Sequence, residues 1–366
     1  MSSTHDDISR IKGLPNACPP RPKLYYLETI AMQLQSCFRF LLLLATIQNA
    51  VLSIATAADP VFSLTQSDAK IIVKVGDQIF AEYVLDDPAT NKSYLWPVYG
   101  PTGKAMTRSF PMKEVDGEVT DHYHHRGIWF GHEDIGGADS WAEKKTFEKK
   151  GVIPPSNQER VDKLGSQKHR AIRSMSADDT QATIVSEIDY LGPDGKKSLS
   201  EIRTLVFRVE GKTRVIDVQQ DFIASEGEVT FGDKKDAGLS IRVPSTVSVD
   251  SKKGGRIINS EGLTDKDAWS KRGRWCDYTG PVEDETLGVT ILNHPSSFRH
   301  PTSWHVRTYG LFTANPFGTL DPESPNGPHT LKKDEKLELR HRFILHDSSF
   351  TSEDIEQAYK RYADAN

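Results

Sequence analysis

The sequence predicts an all-β fold, a large antiparallel β-sandwich that ends in a C-terminal α-helix. Short runs of alternating apolar and polar residues recur between residues 70 and 345, as expected for half-buried strands. Turn residues such as Gly-Asp and Gly-Pro-Asp-Gly separate these runs, and a helical spacing of apolar residues is clear only near the C-terminus. Many short strands followed by one terminal helix favour a sandwich over an alternating strand–helix fold.

The N-terminal part of the chain has the pattern of a secretory signal peptide. Arg39 precedes the apolar run 40–47, and Ala55-Thr56-Ala57 fits the small-x-small rule for signal cleavage. A membrane anchor is the alternative, but the run is short and Gln48-Asn49 interrupts it. The signal peptide is therefore the favoured interpretation.

These features predict the organisation of the whole chain. Residues 1–31 form a leader or an over-extended start, and residues 32–57 form the signal peptide, beginning at Met32. Residues 58–366 form a single β-sandwich domain. We expect a secreted or periplasmic protein after cleavage near Ala57.

Composition narrows the class of protein. The formal net charge is −5, and charges of both signs are mixed along the chain, which is unlike the strongly basic face of a nucleic-acid-binding protein. Of the three cysteines only Cys276 follows the predicted cleavage point, so we expect no disulfide within the mature domain. Beyond residue 58 no apolar run is long enough to span a bilayer, so no integral membrane segment is predicted there.

The strands can be predicted from local patterns. Two β-branched runs across Gly76-Asp77 predict a hairpin over residues 70–84, and two alternating runs across Glu210-Gly211 predict another over residues 200–222. Further strands are predicted at residues 94–99, 182–190, 239–243, 247–249, 256–258, 288–292, 304–309 and 337–345.

The last element is the one clear helix. Thr351 or Ser352 can cap its N-terminus. Its apolar residues follow the i, i+3, i+4, i+7, i+8 spacing of a helix with one buried face. They are Ile355, Ala358, Tyr359, Tyr362 and Ala363.

Residues 121–134 hold four of the twelve histidines of the chain, together with an arginine and three acids. On a strand, His122 and His124 would share a face and His125 would lie opposite, whereas a loop imposes no such rule. Histidines beside a carboxylate suit zinc, manganese or iron, which makes His122, His124 and His125 candidate ligands of a divalent metal. Two alternatives remain open: a loop organised by hydrogen-bonded histidines, and a site where His and Arg donate hydrogen bonds to a sugar or a carboxylate.

A second group of polar and aromatic residues lies between residues 293 and 310. His305 and Arg307 alternate with Val306 on a predicted strand, so their side chains point to one face. Aromatic rings can stack on the apolar face of a sugar while charged groups bind its hydroxyls, so this composition suits a carbohydrate site. A further aromatic and basic group contains Trp269, Arg274, Trp275 and Asp277, although Trp and Arg pairs also pack structurally.

The chain resembles the bacterial family known as DUF6807 or "methane oxygenase PmoA". Tyr123 is a departure, because the family motif is expected to read Asp-His-Pro-His-His-Arg-Gly there. The resemblance covers nearly all of residues 68–366. Its motifs lie at residues 121–143, 231–243, 259–262, 272–281 and 293–318 and in the C-terminal helix.

This resemblance implies a β-sandwich of the galactose-mutarotase type and an association with sugar catabolism. The name methane oxygenase belongs to a membrane subunit with several spanning helices. Because no run of spanning length follows residue 58, we interpret that name as a misnomer for this chain.

Three functions stay open from the sequence. The favoured one is an exported enzyme that acts on a small-molecule sugar or glycan as an epimerase, lyase or hydrolase, with histidine acid–base chemistry and arginine contacts to substrate. The others are a non-catalytic carbohydrate-binding sandwich and a metal-dependent oxygenase. The cofactor is unknown, with a divalent metal as the candidate. The expected catalytic residues are His124, His125 and His305, and the expected substrate-binding residues are His122, Arg126, His132, Arg242, Trp275, His294 and Arg307.

Overall fold

The computed structural model describes residues 61–365 and contains two large antiparallel sheets. In chain order the strands are β1 (Phe62–Gln66), β2 (Lys70–Val75), β3 (Gln78–Val84), β4 (Tyr94–Val98), β5 (Ile128–His132), β6 (Ser166–Ala177), β7 (Gln181–Leu191), β8 (Lys197–Glu210), β9 (Thr213–Ile223), β10 (Val229–Phe231), β11 (Ala237–Arg242), β12 (Arg256–Asn259), β13 (Arg272–Gly273), β14 (Trp275–Val282), β15 (Glu285–Asn293), β16 (Thr302–Val306), β17 (Leu311–Asn315), β18 (His329–Leu331) and β19 (Lys336–Asp347). The α-helices are Lys144–Phe147, Gln158–Val161 and Ser352–Ala363, and the 3₁₀ helices are Pro155–Asn157, Val249–Ser251 and Asp265–Ala268.

The sheets confirm the predicted fold class. One has nine strands in the order β1-β2-β3-β4-β5-β11-β17-β16-β13, and the other has eight in the order β12-β14-β15-β19-β9-β8-β7-β6. A small third sheet pairs β10 with β18. Both predicted hairpins are present, since β2 pairs with β3 and β8 pairs with β9. Gly76 (φ 56°) and Gly211 (φ 60°) adopt the left-handed conformation that the two turns need.

The predicted strand at residues 247–249 is wrong. Val247 donates its N–H to the carbonyl of Pro244, and residues 249–251 form a 3₁₀ helix. The Ser248 side chain accepts a hydrogen bond from the N–H of Ser251, so a local side-chain bond competes with strand pairing here. The prediction at 304–309 also ran too far, because β16 ends at Val306 and a turn follows.

The main hydrophobic core lies between the two large sheets. Alternate residues of each strand enter it, as β7 shows with its strictly alternating burial. Phe130 of the nine-stranded sheet packs on Phe222 of the eight-stranded sheet, with ring centroids 4.8 Å apart. Each fully buried ring of this kind contributes about 1.5–3 kcal/mol to folding, so the alternation determines which face of each strand turns inward.

The C-terminal helix covers the outside of the eight-stranded sheet. Thr351 caps it, accepting a hydrogen bond from the N–H of Asp354, whose carboxylate bonds back to the N–H of Thr351. The helix is therefore confirmed together with its predicted cap. A separate apolar cluster lies between helix and sheet and includes Trp275, Leu292, Ile344, Ile355 and Tyr362.

The middle of the nine-stranded sheet positions the candidate site. Phe130, Leu239, Ala314 and Trp304 lie side by side across β5, β11, β17 and β16, and all four belong to the main core. Because side chains alternate along a strand, the adjacent residues on these strands point away from the core. We call that side the outer face of the nine-stranded sheet. None of the helices between residues 61 and 365 is long and apolar enough to cross a membrane.

Candidate functional site

A row of polar and aromatic residues crosses the outer face of the nine-stranded sheet. Trp129 on β5 pairs with Ser240 on β11, which pairs with Thr313 on β17, which pairs with His305 on β16. The hydroxyls of Ser240 and Thr313 are 2.8 Å apart and form a hydrogen bond. This row is buried, and the loops before β5 and after β16 lie beside it.

The loop of residues 121–127 leads into β5 and brings three histidines to this face. It turns tightly, because the N–H of His125 donates to the carbonyl of His122 (3.0 Å). Gly127 has φ 57°, and a Cβ there would collide with the carbonyl oxygen of Leu95 on β4. Only glycine suits this position, since the loop passes so close to the neighbouring strand.

His122 joins the two histidine-containing stretches that the sequence singled out. Its ring stacks on that of His125 and on that of Tyr309, with centroids 4.8 Å apart in both cases. Tyr309 lies in the turn between β16 and β17, next to Arg307. The stretch 121–125 and the segment 305–309 therefore meet on one face of one sheet.

Asp121 is the electrostatic centre of the site. Its Oδ1 accepts hydrogen bonds from Arg108 Nη1 and from Arg242 Nη2 (2.7 Å), and its Oδ2 lies 2.9 Å from Nδ1 of His122. Burial alone would raise the pKa of Asp121, but the hydrogen bond with His122 and the charges of Arg242 and Arg108 hold that pKa well below its ordinary value. The carboxylate is therefore ionised at neutral pH and fixed by two cations.

Arg108 and Arg242 are almost completely inaccessible to solvent. Burial and the neighbouring charge of Arg242 lower the pKa of Arg108 to about 10, and burial also lowers the pKa of Arg242. Arg108 donates as well to the carbonyls of Phe110 (3.1 Å) and His122 (3.1 Å). It thus ties the loop to the chain upstream of it.

His124 and His125 are buried and neutral. Nδ1 of His125 lies 3.2 Å from Nη1 of Arg242, and since a guanidinium only donates, this nitrogen accepts and the ring proton sits on Nε2. Nδ1 of His124 is 3.0 Å from the hydroxyl of Thr146. Burial lowers the pKa of both rings well below the ordinary value, with neighbouring positive charges adding to the effect.

His305 is buried on β16 and is also neutral. The indole N–H of Trp269 donates to its Nδ1 (3.0 Å), so the proton of the neutral ring sits on Nε2, which lies 3.5 Å from Oδ1 of Asp236. Burial first, and then the charges of Arg307 and Lys235, lower the pKa of His305 to about 3. At neutral pH this residue can donate a hydrogen bond from Nε2 but is a weak base.

His122 is the accessible histidine of this group, with 39% of its side chain exposed. Since its Nδ1 faces the ionised carboxylate of Asp121, Nδ1 carries a proton and Nε2 is left with a free lone pair in the neutral ring. This arrangement can accept a proton at Nε2, and the carboxylate would stabilise the imidazolium that results.

Arg307 lies half-buried at the edge of the same group. Its guanidinium is 5.4 Å from the ring centroid of Trp269 and 5.7 Å from that of Tyr309. Among residues 61–365 this guanidinium forms no hydrogen bond and no ion pair with a carboxylate. The burial of Tyr309 raises its pKa to about 12, so its hydroxyl stays protonated.

Four of the residues expected to bind substrate are engaged in other contacts. Arg126 is buried in a bidentate ion pair with Glu143, at 2.9 and 2.7 Å. His132 has its ring in the core, with its centroid 4.8 Å from that of Phe317. Trp275 and His294 lie under the C-terminal helix, where they contact Glu356 (2.8 Å) and the carbonyl of Ala365 (3.1 Å).

The structure brings together six of the residues proposed from sequence: His122, His124, His125, Arg242, His305 and Arg307. Sequence reasoning did not select Arg108, Asp121, Tyr309 or Trp269 as site residues. Asp121 could have been found, because it directly precedes His122. Arg108 shows no such pattern, and its role depends entirely on tertiary contacts.

The three candidate metal ligands do not converge. His122 and His125 stack face to face, and Nδ1 of His124 is engaged by Thr146. Within the described part of the chain, no group of three or more His, Cys, Asp or Glu side chains is arranged to hold a metal ion.

Comparison with solved structures finds proteins of low sequence identity. The galactose 1-epimerase from Lactobacillus acidophilus NCFM is 8% identical with a TM-score of 0.32, over 78% of this chain and 98% of that chain. The Slr1438 protein from Synechocystis sp. PCC 6803 is 9% identical with a TM-score of 0.32, over 81% and 99%. A galactose mutarotase related enzyme from Lactobacillus acidophilus is 10% identical with a TM-score of 0.30, over 78% and 98%.

Sequence comparisons identify a family but no curated relative. No curated protein matches the chain. A family model described as "Family of unknown function (DUF6807)" matches residues 70–360, which is most of the chain and nearly all of the described part.

Proposed function

This chain belongs to the DUF6807 family, and from that premise we propose that it is an exported carbohydrate-processing enzyme that transfers protons on its ligand. The reaction class is an epimerisation, a lyase reaction or a hydrolysis. The observation that carries the proposal is the pair formed by Asp121 and the accessible His122, with Nδ1 and Oδ2 2.9 Å apart. A fixed carboxylate behind an exposed imidazole is an arrangement that suits general acid–base catalysis.

In this proposal Nε2 of His122 removes a proton from the ligand. Asp121 keeps the ring in the tautomer that has its proton on Nδ1, and it stabilises the charged ring after the transfer. Arg108 and Arg242 keep Asp121 ionised and in place, since both donate to its Oδ1. The sequence pattern predicts catalytic roles for His124 and His125 and a substrate-binding role for His122. The proposal gives the catalytic role to His122 instead, because His124 and His125 are buried beside its ring.

The other groups suit a polyhydroxylated ligand. Tyr309 presents a protonated hydroxyl, and the buried His305 beside it carries an Nε2–H donor that faces Asp236. The half-buried rings of Trp269 and Tyr309 offer apolar faces of the kind on which sugar rings stack. Arg307 can bind an oxygen on which negative charge develops during proton transfer.

Substitution of His122 tests this proposal. A panel of aldoses, ketoses, uronic acids and oligosaccharides is first incubated with the wild-type protein and followed by NMR. His122→Ala is expected to lower turnover by about 100- to 10,000-fold, which is the usual contribution of a general acid or base. His169→Ala, on the edge strand of the other large sheet, is the matched control and should retain wild-type turnover. Wild-type turnover in His122→Ala would overturn the mechanism.

A non-catalytic carbohydrate-binding protein is the second candidate. The observation in its favour is that His124, His125 and His305 are all buried, and their lowered pKa values keep them neutral. Neutral rings of this kind donate and accept hydrogen bonds without exchanging protons with a ligand. Saturable binding of a sugar without any chemical conversion would favour this candidate.

Export is the remaining part of the proposal. The predicted signal peptide at residues 32–57 lies outside the described residues. Mass spectrometry of the protein recovered from the periplasm or medium of a bacterial host should find an N-terminus near Ala58. Protein that remains in the cytosol with residues 32–57 attached would contradict export.

A further inference from the structure

The candidate site contains more positive than negative charge. Arg108 and Arg242 share a single carboxylate, that of Asp121. Both guanidiniums are buried, so water screens them poorly. The whole chain has a net charge of −5, so this local excess of cations is not a consequence of overall composition.

Arg307 adds a further cation that no carboxylate neutralises within residues 61–365. Its position is defined by the aromatic faces of Trp269 and Tyr309, which attract a guanidinium without using its N–H donors. An aromatic support of this type holds the planar group in place and leaves its donors available. Asp236, an acid of the same group, faces His305 and Lys235.

We propose that the ligand of this site is a sugar acid whose carboxylate binds Arg307. A guanidinium presents parallel N–H groups that match the two oxygens of a carboxylate, and such charge-assisted pairs are stronger than neutral hydrogen bonds. One carboxylate would neutralise the one unpaired guanidinium. The sugar hydroxyls would then lie near His122, Tyr309 and His305. This inference rests on the proposed function, since it names the substrate class of the same site.

Isothermal titration calorimetry with defined sugars tests the inference. D-Galacturonate and D-glucuronate are compared with D-galactose and D-glucose, which lack the charge, and with D-glucose 6-phosphate, which carries a different anion. The proteins are the wild type, Arg307→Gln, Arg307→Lys and the control Arg361→Gln, which changes an exposed arginine on the C-terminal helix. Thermal unfolding of each variant is measured in parallel to establish that it folds.

We expect a uronate to bind the wild type at least about 10-fold more tightly than its neutral counterpart. Arg307→Gln should weaken uronate binding by about 10- to 100-fold, as for the loss of hydrogen bonds to a charged group, and should leave neutral sugars nearly unaffected. Arg307→Lys should bind uronates with an intermediate affinity, because it keeps the positive charge but loses the planar guanidinium. Arg361→Gln should match the wild type.

Equal binding of uronates and neutral sugars, or an equal effect of Arg307→Gln on both, would overturn the inference. Tighter binding of the sugar phosphate than of either uronate would overturn the assignment of the anion as a carboxylate. If neutral sugars are converted in a reaction that depends on His122 while uronates are ignored, the sugar acid is refuted and the proposed enzyme stands. If no sugar binds at all, both proposals fail.

Discussion

The role of Asp121 can be tested by Asp121→Asn, which keeps the size of the side chain and removes its charge. In the variant, the buried guanidiniums of Arg108 and Arg242 lose the carboxylate that they share. Removing one member of a buried ion pair costs about 3–5 kcal/mol. Because the Asp121 side chain is 34% exposed and asparagine retains one acceptor oxygen, we expect a smaller loss, of about 2–3 kcal/mol.

Thermal unfolding measures this loss. A domain of about 300 residues unfolds with an entropy of about 0.6 kcal/mol per kelvin, so the expected decrease in Tm is about 3–5 °C. The control is Asp86→Asn, which removes a carboxylate 2.8 Å from Lys168 where both side chains are more than half exposed. Exposed pairs contribute less than about 1 kcal/mol, so this variant should unfold close to the wild type.

The stability difference between the wild type and Asp121→Asn should also depend on pH. The folded-state pKa of Asp121 is lowered, so its stabilising contribution is present above the unfolded pKa and is lost as the pH falls through the folded one. The difference in stability between wild type and Asp121→Asn should therefore be constant near neutral pH and should narrow below about pH 4. A variant as stable as Asp86→Asn, or a difference that persists unchanged in acid, would refute the assignment of Asp121 as the shared counter-ion.

Two further predictions concern stability away from this carboxylate. Burial lowers the pKa of His346, but its contacts with the buried carboxylate of Asp277 (2.9 Å) raise it above the ordinary value overall, so the stability difference between wild type and His346→Gln should be full below about pH 6.5 and should decline as the pH rises. Urea denaturation across this range measures it, and a difference that grows with pH would contradict the sign. Gly238→Ala should lower the free energy of unfolding by more than about 2 kcal/mol, because φ is 120° and the new Cβ would collide with the carbonyl of Ala314. Gly103→Ala is its control, with φ 81° but open space around it, and equal losses in the two variants would show that the collision is unimportant.

Local patterns in the sequence were sufficient for much of the fold. The hairpins at residues 70–84 and 200–222 follow from alternation and from turn residues, which act over a few neighbouring positions. The C-terminal helix follows from its cap at Thr351 and from the spacing of its buried residues. At residues 247–249 the local pattern predicted a strand that does not form, because the hydrogen bonds of Ser248 with its neighbours outweigh the strand preference of two valines.

Locating the candidate site required both the sequence pattern and the tertiary structure. The density of histidines at residues 121–134 and the alternation of His305 with Arg307 marked the two stretches from residue types alone. Sheet order then placed β5 and β16 on one sheet, with β11 and β17 between them. Pairing of strands that are distant in the chain is set by the burial of a shared core, so no local pattern could have indicated it.

The sequence by itself determined the all-β class, the C-terminal helix and the unusual concentration of histidine. Only the tertiary structure decided which histidine is open to solvent, because His122 and His125 are chemically identical and differ only in what covers them. It also separated Arg307, which has no counter-ion in the described part of the chain, from Arg126, which is bound to Glu143. Accessibility and charge pairing arise from contacts between distant segments, and those contacts exist only after the sheets have formed.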